Sequence, residues 1–279
     1  MESHIVRVHC SDEKGLVYKV TKTLYEAGFN VTNIGEHVDR ELGRFFMRTE
    51  VEGDASLQSV QHALLEELPQ DAHVEIKSKD KKRLVILVTK EAHCIGDLLI
   101  RCAYDEMDAT IAAVISNHSI LEDLAHKFDI PFHSIPTDTL DREDHEEKII
   151  AQIHAYKPDY IVLAKYMRIL TPRFVEAFPY QIINIHHSFL PAFVGAKPYQ
   201  QAYERGVKIV GATAHFVNEQ LDEGPIIAQS IIPVTHSDSP ADMAKAGKDV
   251  EKITLAKALT QVIEDRVFVY ANKTIIFNS

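Results

Sequence analysis

The run IVRVHC (Ile5–Cys10) alternates apolar and polar positions, the spacing of a half-buried strand. After SDEKG, Leu16, Val17, Val20, Leu24 and Ala27 recur at helical spacing, and Gly28 closes the pattern as a C-terminal glycine does. NVTNIGEHVD and RFFMRTEVEG read as two strands around the turn DRELG. A second amphipathic helix runs from near Ser56 to Leu68, and HVEIKS (His73–Ser78) reads as a fourth strand. The order β-α-β-β-α-β predicts a ferredoxin-like α+β domain over residues 1–80. The charged run KSKDKKR (Lys77–Arg83) then reads as a solvated linker.

From residue 84 to 279 the pattern changes. RLVILVT (Arg83–Thr89) is continuously apolar, as a strand buried on both faces should be. ATIAAVIS (Ala109–Ser116), PFHSIP, DYIVLAK (Asp159–Lys165) and QIINIHH read as further strands. Between them DLLIRCAYDEM, SILEDLAHKFD and REDHEEKIIAQIHAYK read as helices. KIVGATAHFVNEQLDEGPIIAQSIIPV is a strand, a turn region and a second strand, and a long helix spans roughly Pro240–Phe268. This alternation predicts an α/β domain with an open, mostly parallel sheet covered by helices. Such sheets bind ligands beyond the carboxyl ends of their strands. Lys165, Asn184, His186, His187 and Ser188 fall at or just after such ends.

Composition narrows the partners. The chain of 279 residues carries a formal net charge of −11, which as a whole repels nucleic acid and acidic membranes. No apolar run approaches the roughly 18 residues needed to cross a bilayer, and the first residues lack the pattern of a signal peptide. Three cysteines, Cys10, Cys94 and Cys102, without zinc or redox spacing fit a reducing cytoplasm.

The residues at the strand ends leave several chemistries open. His186, His187, His215 and Asp222 are possible metal ligands, but there is no HExxH or HxH. Two neighbouring histidines also point to opposite sides of an extended chain, so no metal is expected. Ser188 as a nucleophile would lack a GxSxG elbow. Asn184, a histidine and Asp222 supply the parts for metal-free acid–base chemistry. Histidines that serve packing alone are the structural alternative.

NIHHSFLPAFVGAKPY (184–199), followed by GATAHFVNEQLDEGPII, resembles the formyltetrahydrofolate-dependent formyltransferases and their hydrolase relatives. Asn184 and His186 match the signature asparagine and histidine, and Asp222 its aspartate, beyond the second histidine, His215. VLAKYMRILTP (Val162–Pro172) resembles the segment that builds the pterin pocket, and CSDEKGLVYKVTKTLYEAGFNVTNI resembles an ACT domain. With HVDRELGRFFMR after it, the combination is similar to the formyltetrahydrofolate deformylase family along essentially the full length. Where the related ribonucleotide transferases carry a glycine-rich phosphate loop, this chain reads TKEAHCIGDLL. Lys165 stands where they have glycine, and His187 where they have proline. The comparison implies a crowded acceptor side and favours water as acceptor.

The resemblance implies hydrolysis of 10-formyltetrahydrofolate to tetrahydrofolate and formate, with no metal or redox cofactor. Asp222 would position the water, take its proton directly or through a histidine, and keep His186 protonated. His186 and Asn184 would stabilise the oxyanion, and His186 would protonate the leaving nitrogen. The pterin would enter at Met167, Arg168, Ile169 and Leu170, with His187 and Glu219 contributing to binding. His215 orients Asp222 or the water, or is merely packed. Lys165 pairs with Asp222, holds formate, or is a solvated strand-end lysine. His187 lines the acceptor side or packs, and Phe189, Leu190 and Phe193 are wall and core. The turn Asp12–Gly15 could hold a small amino-acid effector, and the ACT-like domain implies a homo-oligomer. Two other functions stay open: a formyltransferase to an amine acceptor, and a catalytically inactive ligand sensor of the ACT type.

Overall fold

The computed structural model describes residues 2–137, 141–192 and 198–278, and the elements below are those of these residues. The chain divides into two units. One comprises the chain up to Asp80 together with Glu264–Phe268 and the segment from Ile275 onward. The other comprises Lys81–Ile263 and Val269–Thr274.

In the first unit β1 (Glu2–Ser11), α1 (Leu16–Glu26), β2 (Asn30–Asp39), β3 (Arg44–Gly53), α2 (Leu57–Glu67) and β4 (His73–Ser78) follow the expected order. The sheet order is β2-β3-β1-β4 with antiparallel neighbours. Gly15, at φ 92, makes the left-handed turn into α1 that a side chain would strain. The Ser56 side chain caps α2 by accepting from the Ser59 amide. Val8, Cys10, Phe45 and Met47 on one sheet face pack against Leu16, Val20 and Leu24 of α1 and Val60 and Leu64 of α2.

The opposite face carries Arg7, Phe46 and Arg48, and the returning segments cover it. Arg48 donates to the carbonyls of Glu264 (2.8 Å) and Asp265 (3.2 Å), and Arg7 to that of Val267 (2.6 Å). Phe46 meets the Phe268 ring edge-on at 5.7 Å, and Phe268 meets Phe277 at 5.5 Å. The sequence reading assigns residues 264–279 to the second domain, continuing its last helix to Phe268. The helix instead ends at Ile263. Asp265 then adopts φ 51, which a helix cannot continue, and the alternating Val267–Tyr270 run forms a strand paired with Lys273–Ile276.

The second unit holds a seven-stranded sheet. Its strands are β5 (Lys82–Val88), β6 (Ala109–Ser116), β7 (Phe132–Ser134), β8 (Tyr160–Leu163), β9 (Ile182–His186), β10 (Ile209–Phe216) and β11 (Ile226–Pro233), in the order β11-β10-β9-β8-β5-β6-β7. The pairs from β9 to β7 are parallel, while β10 runs antiparallel to both β9 and β11. The helices are α3 (His93–Ala103), α4 (Glu122–His126), α5 (Arg142–Tyr156), α6 (Pro172–Ala177), α7 (Pro198–Arg205) and α8 (Pro240–Ile263). α3 starts four residues before the expected helix, and α4 is shorter than the stretch SILEDLAHKFD. α6 and α7 are not expected from the pattern. Thr171 caps α6 ahead of Pro172, a start signal too short to show periodicity. Val85, Leu87, Ala113, Ile115, Ile161 and Leu163 form the centre of one core layer. Among the described residues no helix is long and apolar enough to cross a membrane.

Candidate functional site

β9 ends at His186, and the parallel β8 beside it ends two residues before Lys165. The antiparallel β10 places His215 opposite Asn184 in register, and the connection from β10 to β11 brings back Asp222. Sheet topology thus converges four side chains from three chain segments. His186 Nδ1 lies 3.2 Å from Asp222 Oδ2, and His215 Nε2 lies 3.7 Å from Asp222 Oδ1. Asn184 Nδ2 donates to His215 Nε2 at 3.2 Å.

The proton positions follow from the partners. His215 Nδ1 faces the Phe216 carbonyl at 2.8 Å, which can only accept, so Nδ1 carries the hydrogen. Nε2 then accepts from Asn184, whose second amide hydrogen stays available. Burial pushes the Asp222 carboxyl up, but its hydrogen bond and charge interaction with His186 outweigh this and hold it well below the usual carboxylate range. Asp222 is a carboxylate at neutral pH. The buried His186 Nε2 finds no hydrogen-bond partner among the described residues.

Two backbone features hold this geometry. Asp222 adopts φ 58, a left-handed conformation that aspartate tolerates better than most residues. Gly224 passes so close to the Phe216 carbonyl that a Cβ there would stand 1.8 Å from the oxygen. That oxygen is the one His215 Nδ1 bonds. The glycine therefore sets the distance between the Asp222 loop and the His215 strand.

The four groups line a cleft of about 490 Å³. Met167, Arg168, Ile169, Leu170 and Glu219 line it as well, with Met167 and Ile169 largely exposed. The Ile169 carbonyl accepts from Arg142 (2.6 Å), and the Met167 amide donates to Thr89 Oγ1 (3.0 Å), which fixes the course of this segment. His187 lies in the same wall, stacked on His186 with ring centroids 5.1 Å apart. The two rings do not splay to opposite sides, because the strand ends at His186. His187 is pushed down to about 4, by burial first and then by the charges of Lys165 and His186, and is neutral at physiological pH. The Ser188 hydroxyl donates to the Ala192 carbonyl at 2.9 Å, the bond of a turn serine. Phe189 is partly exposed and Leu190 buried, and Phe193 lies outside the described residues.

Lys165 departs from expectation. It lines the cleft, but its ammonium pairs with Glu251 Oε2 at 3.3 Å and not with Asp222. Glu251, on α8, also accepts from His93 Nε2 (2.7 Å) and from the Tyr199 hydroxyl (3.2 Å). Neither Glu251 nor Tyr199 is singled out by the sequence pattern. The signal was a glutamate set between buried Val250 and Thr254 on a helix face that should be apolar. His93, Cys94 and Glu251 place three potential ligand atoms within 4.8 Å of one another. Both Glu251 oxygens are already engaged, a cation already sits on one, and burial pushes the Cys94 thiol far up, away from the thiolate a metal needs. The group is chemically a closed ion-pair cluster. In the first unit, Asp12 and Gly15 form the exposed turn before α1, where the Asp12 amide donates to the Gly43 carbonyl at 2.9 Å.

Comparison with known proteins identifies the family. Residues 82–259 match the family model described as formyl transferase, and residues 4–67 the one described as ACT domain. A formyltetrahydrofolate deformylase of Escherichia coli (strain K12) is 52% identical over 276 residues, covering 99% of each chain. The crystal structure of a formyltetrahydrofolate deformylase from Pseudomonas syringae pv. tomato superposes with a TM-score of 0.95 at 41% identity, covering 100% of this chain and 95% of that one. A glycinamide ribonucleotide transformylase from Symbiobacterium toebii matches 71% of this chain and 95% of its own, with a TM-score of 0.68 and 29% identity. The two full-length matches span both the ACT and the formyl transferase segments, and the chain belongs to the formyltetrahydrofolate deformylase family.

Proposed function

We infer that the chain hydrolyses 10-formyltetrahydrofolate to tetrahydrofolate and formate by acid–base catalysis from its own side chains. The observation that carries this reading is the His186–Asp222 pair beside the Asn184 amide, with His186 Nε2 left for a bound molecule. The pterin would enter along Met167–Leu170 and Glu219, bringing the formyl group to Asn184 and His186. Water attacks the formyl carbon, and its proton passes to Asp222 directly or through a histidine. Asn184 and His186 donate to the oxygen that becomes negative as the carbon turns tetrahedral. The carbon–nitrogen bond then breaks, and the leaving nitrogen takes a proton from His186. His215 orients Asp222 and Asn184, and His187 fills the acceptor side as a neutral ring.

The first unit fits a regulatory part. The turn at Asp12–Gly15 presents backbone amides at a helix start, a seat for a small amino acid, and the four-stranded sheet fits pairing between copies. No nucleic-acid or membrane partner enters this reading, and the compartment it implies is the cytoplasm. Formate release from 10-formyltetrahydrofolate by purified protein tests the reaction. Activity should survive exhaustive chelation unchanged. Loss on chelation, restored by one divalent ion per chain, would move the chemistry to a metal.

A further inference from the structure

Lys165 puts a primary amine in the wall of a cleft that, on the reading above, activates a formyl group. An amine is a better formyl acceptor than water when its lone pair is free. Lys165 is 6% exposed and Glu251 2% exposed, so this is a buried ion pair. Glu251 stands behind the wall and does not line the cleft. Its carboxylate is fixed by His93 on α3 and Tyr199 on α7. Tyr199 reaches it because Gly247, one turn earlier on α8, has no side chain: a Cβ there would stand 1.9 Å from the Tyr199 hydroxyl. Lys165 itself adopts φ 63, which turns the chain just past β8.

We propose that Glu251 is a specificity-determining positioning residue that holds Lys165 as an ion-paired ammonium, drawn to the back of the wall, and so keeps the enzyme from formylating itself. The proposal rests on the hydrolase reading. Without Glu251 the buried lysine would lose its ion-pair partner. Burial disfavours the charged form of an amine that has lost its carboxylate partner, and the neutral form gains. The neutral Nζ lone pair then attacks the formyl carbon. The bond to the folate nitrogen breaks, that nitrogen takes the proton Nζ loses, and tetrahydrofolate leaves. The lysine is left as a formamide, and the cycle ends.

The test uses the full chain with Glu251→Gln and Glu251→Ala, incubated with 10-formyltetrahydrofolate and digested for mass spectrometry. The peptide containing Lys165 should gain one CO unit in the variants, at least about tenfold more than in the parent. Formate release should slow with time as the gain accumulates, while surface lysines react equally in both. Combining either change with Lys165→Met should abolish the gain and the time-dependent slowing. Glu251→Gln keeps the shape of the side chain and carries the test if Glu251→Ala does not fold. Linear turnover by a folded variant without mass gain at Lys165 would overturn the proposal. So would inactivation without mass gain, which assigns Glu251 to packing alone, or a parent already formylated there. A parent that releases no formate would instead overturn the hydrolase reading.

Discussion

Asp222 combines a left-handed backbone with a carboxylate paired to His186. Asparagine tolerates the same backbone region, so Asp222→Asn removes the charge with little strain. It should lower kcat about 10²- to 10⁴-fold in a chain that still folds; near-normal turnover would sink the role given to this carboxylate. Gly224 gives an independent probe. Gly224→Ala would press a methyl group into the Phe216 carbonyl, forcing the backbone under both His215 and Asp222 to shift. Activity should fall at least about tenfold although no reacting group is altered; parent-like kcat/KM in that variant would show that the loop adapts elsewhere. Asn184, His186 and Asp222 were legible because a motif carries them in fixed spacing. Glu251 was not, since hydrophobic patterning reads an isolated acid on a helix as exposed, and only the packed structure reveals the lysine, histidine and tyrosine around it.

β1 shows what a single strand can be asked to carry on two faces. Val6, Val8 and Cys10 enter the helix-covered core, while Arg7 and His9 lie on the other face. His9 stacks on His73 at 4.6 Å and lies 6.0 Å from the Phe46 ring. Its pKa is lowered to about 4, by burial first and by the neighbouring His73 second. The unfolded chain binds this proton near the reference of about 6.5. Between those values the unfolded state holds more protons, so stability is full above about 6.5 and declines as pH falls toward 4. Urea midpoints of the parent should drop over that window, and His9→Gln should flatten the drop; parallel curves would remove His9 as the cause. The alternation that defines β1 was plain in the sequence. What lies on its polar-looking face was not, because the covering strand comes from the far end of the chain.

Across the whole molecule, most elements could be read from periodicity, since Leu84–Val88 and Ala109–Ser116 are long, pure runs. The antiparallel direction of β10 and the C-terminal hairpin could not, because strand direction and long-range return depend on which surfaces remain uncovered. That return changes what a fragment should do. Residues 1–80 alone leave Phe46, Arg7 and Arg48 without Phe268, Val267 and the carbonyls of Glu264 and Asp265. The fragment should unfold at lower urea than the same residues linked to 264–278, and equal midpoints would make the returning segments dispensable. The same arrangement has a consequence for biosynthesis. The strands of the first unit leave the ribosome early, but Glu264 follows Asp80 by roughly 180 residues, about ten to forty seconds at ~5–20 residues per second. Throughout that interval the nascent sheet displays Phe46 and its two arginines, so the first unit to emerge is among the last to be finished, and translation speed sets how long that surface is open to trigger-type chaperones or to neighbouring chains on the same polysome.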